Sequence, residues 1–88
     1  MGVLHITDAN DVYQFVERLK AACRKHNAMV LLKEIDDALC LGSSGLEVLG
    51  AIRLAILKDR GEAERLLGEG GKEEIDQVLA FVDRAFGR

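Results

Sequence analysis

Residues 45–57 read GLEVLGAIRLAIL and carry only two charges, Glu47 and Arg53, in a chain of which 31% is charged. At about 100° per residue the segment has two apolar arcs. One holds Val48, Leu49, Ile52, Ala55 and Ile56, and the other holds Leu46, Gly50, Leu54 and Leu57 with Arg53 on its margin. A helix that is apolar on two sides has to be covered on two sides. The segment is therefore either the central element of a helical core or the seam of an oligomer.

The rest of the chain sets the terms of that choice. With 88 residues there is room for one core, so 1–88 is expected to be a single domain. A chain of this size buries roughly 60–65% of its unfolded surface, which leaves a slim stability margin. Hydrophobic residues make up 49% and aromatics 5%, so the core must be built from Leu, Ile, Val and Ala. The absence of proline and the presence of nine glycines suit helices punctuated by glycine.

Residues 1–7 are too short and isolated for a sheet and read as an extended arm, with Val3, Leu4 or Ile6 packing on the first helix. That helix is predicted over 8–25 from Val12, Phe15, Val16, Leu19, Ala22, Cys23 and His26, which follow the i, i+3, i+4 rule without a miss. Thr7 or Asp8 can cap its start, with Asp8 and Asp11 at the positive end of the dipole and Lys20, Arg24 and Lys25 at the negative end. The next stripe, Ala28, Leu31, Leu32, Ile35, Ala38 and Leu39, is displaced from the first by about 150°. No straight helix buries both stripes on one side. A break near His26–Asn27 is predicted, with Asn27 as the N-cap of a second helix over 28–41 that stops at Gly42.

Ser44 followed by Glu47 forms a capping box for a third helix over 44–59. "LKDRG" is a stop signal, although Ala63, Leu66 and Leu67 stay in phase with Val48, Ile52 and Ile56, so 62–67 is the candidate for a short helix of its own. "GEGG" at 68–71 is a linker, and a last helix is predicted over 72–86 with Ile75, Val78, Leu79, Val82, Ala85 and Phe86 on its face. The expected fold class is all-α: four, or with 62–67 five, short antiparallel helices in a compact bundle.

Chemistry-bearing sets are sparse. His26, Glu34 and Asp37 are the best candidates for a metal or acid–base site, but one helix supplies only two carboxylates and there is no Glu-x-x-His anywhere. A solvated acidic face explains them better, and neither His26 nor His5 has a spacing that signals a triad. "LGSSG" and "GEGGK" do not match a phosphate loop, and no strand precedes either. Cys23 lies in an apolar stripe as a small buried hydrophobe. Cys40 falls off its stripe, beside Met29, with no basic residue one turn away to depress its pKa, and reads as covering a contact. Catalytic residues, metal ligands and cofactors are therefore all expected to be absent, and the chain is expected not to be an enzyme.

The net charge of −3 argues against nucleic acid. The short turn between the first two helices does not make a helix-turn-helix, because the second helix offers one lysine and three acids. Apolar runs fall short of the ~18 residues of a membrane span. Two cysteines without a C-x-x-C, and a start without a secretory pattern, fit the cytoplasm. Arg53 either snorkels at the edge of the leucines or pairs with Asp36, Asp37 or Asp83.

Met29, Val30, Cys40 and Leu41 on the second helix and Phe81 on the last lie outside the main stripes, which adds apolar surface beyond what a monomer needs. The function expected is protein–protein contact, chiefly with itself as a homodimer, with another protein as a further candidate. The interface is expected to draw on Met29, Val30, Cys40, Leu41, Leu46, Gly50, Arg53, Leu54 and Leu57. The rival reading is a small-molecule binder or enzyme with an aliphatic pocket between helices.

Overall fold

Asp8 starts the first helix, α1 (Ala9–Lys25), by accepting the backbone N–H of Asp11 on Oδ1 at 2.9 Å. Asp11 returns the interaction: its Oδ2 accepts the backbone N–H and the hydroxyl of Thr7, both at 2.9 Å. The Thr7 backbone N–H, which favours the charged carboxylate, holds the Asp11 carboxyl below its ordinary value. In this computed structural model, which describes residues 6–41 and 44–87, four further helices follow: α2 (Met29–Leu41), α3 (Gly45–Lys58), α4 (Arg60–Leu67) and α5 (Gly71–Ala85). No strand occurs among the described residues, so the protein is all-helical.

Val12, Phe15, Val16, Leu19 and Cys23 bury the apolar stripe of α1. His26, expected to close that stripe, is exposed instead, because the backbone leaves helical geometry at His26 and the helical phase ends with it. The turn that follows also differs from the expected one. Asn27 is not an N-cap; it takes a left-handed conformation with φ 57°. The Ala28 N–H donates to the Cys23 carbonyl at 2.8 Å and the Asn27 N–H to the Arg24 carbonyl at 3.4 Å. That pair of bonds is a Schellman ending, in which a left-handed residue lets the chain fold back on the last helical carbonyls. The break between the two stripes is thus made by the C-terminus of α1 rather than by a cap on α2.

Leu31, Ile35 and Ala38 of α2 and Leu49, Ile52, Ala55 and Ile56 of α3 meet in the core. Ser44 caps α3, its hydroxyl oxygen accepting the Glu47 N–H at 3.3 Å. The expected stop at Gly42 lies outside the described residues, as do Val3, Leu4 and His5 of the arm. Ile6 is described: it is buried, and its N–H donates to Gln77 Oε1 of α5 at 3.2 Å.

The stop after α3 is a single residue, Asp59 (φ −123°, ψ 38°), and α4 begins at Arg60 rather than near 62. Gly61 therefore sits in the first turn of α4. Arg60 stabilises the early start, with Nε 2.7 Å from Glu64 one turn on and Nη2 2.6 Å from Asp76 on α5. Ala63 buries the inner side of α4.

Gly68 and Gly70, with φ 76° and 84°, make the turn into α5. Gly71, expected in the linker, is instead the first residue of α5 and is buried. A Cβ at Gly71 would stand 2.6 Å from Leu67 Cβ, so α4 and α5 close on each other only because it has none. Ile75, Val78 and Val82 complete the core from α5. Phe81, expected outside the stripe, is partly buried and packed against it.

The Cα trace spans 33 × 30 × 19 Å.

Candidate functional site

α3 is covered on one of its two sides. Its inner arc is in the core, while Leu46, Leu54 and Leu57 remain 47%, 65% and 41% exposed. On α2, Met29, Val30 and Leu41 are 50%, 70% and 74% exposed. Cys40 beside them is an exposed free thiol.

Val30, Leu41 and Leu54 share one surface. Between α2 and α3 runs a trough of about 510 Å³ with Val30, Leu41 and Leu54 on its walls and Ala38, Ala51 and Ala55 as its floor. Leu41, Ala51 and Leu54 also line a second hollow of about 340 Å³, closed on the far side by Gly50 and Phe86. Leu54 is therefore the ridge between two depressions. Leu46, Gly50, Leu54 and Leu57 continue the same strip along α3 by their three- and four-residue spacing.

Ion pairs edge the trough. Lys58 Nζ lies 3.0 Å from Glu34, and Lys33 Nζ lies 2.8 Å from Asp37. Hydrogen bonds to those carboxylates, with their charge, push both lysines above their ordinary range. Glu34 and Asp37, the carboxylates that sequence put forward for acid–base or metal chemistry, thus each face a lysine, while His26 sits apart in the α1–α2 turn. Among the described residues no three His, Cys, Asp or Glu side chains converge as a metal site. No helix is long and apolar enough to cross a membrane among the same residues.

Arg53 pairs with the third of its candidate partners: Nε lies 2.9 Å from Asp83 Oδ1 of α5, with the two side chains 26% and 36% exposed. Gly50 is matched to a neighbour on the last turn of the chain. Its missing Cβ makes room for Phe86, whose Cζ would be 3.1 Å from such an atom.

No family model, curated protein or solved structure matches this chain. Its surface has to be read from its own residues.

Phe86 is the surface residue that sequence reasoning assigned elsewhere. Periodicity puts it on the buried face of α5, but α5 ends at Ala85 and Phe86 is its C-cap, a residue 41% exposed beside Gly50. The signal lay in Gly87, which follows in a left-handed conformation (φ 79°) and marks the helix end. Ala38 and Ala55, which periodicity places in the stripes of their helices, are buried as expected. Cys23 is fully buried, and burial together with the nearby Glu62 charge pushes its thiol pKa up.

Proposed function

We propose that this protein is a small helical interaction module that acts by pairing with a second copy of itself through the exposed face of α2 and α3. The observation that carries the reading is that Val30, Leu41, Leu54 and Phe86, all exposed, line two adjoining hollows that share Leu41, Ala51 and Leu54, with exposed Leu46 and Leu57 on the same strip of α3 by helical spacing. A two-fold symmetric dimer is the simplest assembly that covers such a face.

Within each copy, α2 and α3 are read as antiparallel neighbours. Lys58 from the end of α3 reaches Glu34 in the first half of α2, while Leu41 from the end of α2 shares a hollow with Glu47 and Gly50 from the start of α3. The activity is contact rather than turnover, since the polar groups around the trough are engaged with one another. A buried thiol, Cys23, and an exposed one, Cys40, suit a reducing cytoplasmic setting.

Light scattering over a concentration series tests the reading. The wild type should approach a dimer mass as concentration rises, and Leu54→Glu, which places a charge on the central ridge, should stay monomeric with its helical content unchanged. A wild-type monomer at every concentration would overturn self-association. Saturable binding of an aliphatic probe by that monomer would point to the pocket reading instead.

A further inference from the structure

We infer that the two copies pair through antiparallel α3 helices, each copy's Leu54 entering the Gly50–Phe86 hollow of the other and each Glu47 facing the other's Lys58. This rests on the self-association reading and adds the geometry of the pairing.

Three features lead to it. The apolar strip Leu46, Gly50, Leu54, Leu57 is centred near Ala51–Ile52. A two-fold axis crossing α3 there sets Leu46 against the second copy's Leu57, and Leu54 against its Gly50. Leu54 is 65% exposed and stands at the edge of a hollow of about 340 Å³ that Leu41, Glu47, Gly50, Ala51, Arg53 and Phe86 also line. Ridge and hollow lie on the same face, one helical turn apart, so a two-fold operation fits both at once. A face that carries its own knob and its own hole is self-complementary, and a foreign helix would have to supply both anew.

Charge selects the direction. Glu47 stands in the first turn of α3 and Lys58 is its last residue, about 16 Å apart at 1.5 Å per residue. Antiparallel pairing about the same axis brings opposite charges together at both ends, and parallel pairing brings like charges together. The macrodipoles favour the same direction. The Lys58 side chain is 69% exposed, and although it already meets Glu34, an ammonium has three donors and can serve a second carboxylate. Glu47 likewise is engaged in its own copy, its Oε1 accepting the Ser44 hydroxyl at 3.3 Å, and a carboxylate with two acceptor oxygens can take a further donor beside that bond.

The test uses two full-length variants, Glu47→Lys and Lys58→Glu. Each alone places like charges at both ends of its homodimer, whereas a one-to-one mixture restores an opposite pair at both ends. Sedimentation equilibrium at low ionic strength should show each variant dimerising at least tenfold more weakly than wild type. The mixture should return to within about threefold of the wild-type Kd, with the advantage shrinking as salt rises. Wild-type dimers together with a mixture that associates no better than its components would overturn the pairing and leave self-association standing. A wild type that never dimerises removes both. Should circular dichroism show either charge variant unfolded, Leu46→Cys and Leu57→Cys in a Cys40→Ser background give the same answer. Under mild oxidation their mixture should form disulfide-linked dimers faster than either alone, and equal rates would overturn the pairing.

Discussion

Arg53 of α3 and Asp83 of α5 meet at 2.9 Å on the margin of the exposed apolar face, where they tie the second arc of α3 to the last turns of the chain. The pair is partly screened by water, with side-chain exposures of 26% and 36%, which keeps its contribution in the range of surface ion pairs. A double-mutant cycle with Arg53→Gln and Asp83→Asn should give a coupling of about 0.5–1 kcal/mol at low salt, and urea unfolding at rising ionic strength should show it decline. A coupling near zero at low salt would mean the contact is not maintained in solution.

Two glycines one element apart should respond in opposite directions. Gly61 lies in the first turn of α4, and a Cβ added there would meet nothing within 4 Å, so Gly61→Ala should stabilise the protein by about 0.5 kcal/mol through backbone entropy. Gly71→Ala would press a Cβ to 2.6 Å from Leu67 Cβ and should cost about 1–3 kcal/mol. Chemical denaturation at one fixed protein concentration compares them, since dimerisation would otherwise enter the result.

The Schellman turn makes Asn27 a position where side-chain chemistry matters less than backbone conformation. Asn27→Ala should destabilise by about 1 kcal/mol, because an alanine Cβ is unfavourable at φ 57°, while Asn27→Gly should match or exceed wild type. Equal stabilities for the alanine and glycine variants in urea titrations would contradict the left-handed assignment.

The two cysteines should separate cleanly under a thiol-labelling reagent. Cys40 is exposed and should react at the rate of a free thiol. Cys23 is fully buried with its thiol pKa raised, so it should label only as fast as the protein opens. Mass spectrometry of partially labelled protein distinguishes the two sites.

Asp11 gives a pH dependence whose sign follows from its lowered folded-state pKa. Its contribution to stability is fully present above the ordinary value of 3.8 and is lost as the pH falls below that value toward the folded-state one. Wild type should therefore be more stable than Asp11→Asn at pH 7, and the difference should narrow as the pH drops below 4. Thermal unfolding of both proteins across that range checks it, and a gap that widens in acid would reverse the assignment.

Periodicity alone was enough to read the helices, because an amphipathic stripe records on each segment which side faces the core. Val12, Phe15, Val16 and Leu19, and likewise Ile75, Val78 and Val82, declare themselves that way. The phase jump at His26–Asn27 also required a break, and the two arcs of α3 required two kinds of cover. Tertiary structure decided what local pattern does not encode. Arg53 found Asp83, 30 positions away, rather than Asp36 or Asp37. The missing Cβ of Gly50 makes room for Phe86, 36 positions on. Phe81 turned inward while Phe86, predicted to be buried, stayed at the surface. Each outcome depends on how helices far apart in sequence are set against one another and on where each helix ends. A periodic pattern fixes the angle of a side chain around its own axis, and says nothing of which neighbour stands at that angle or whether one stands there at all.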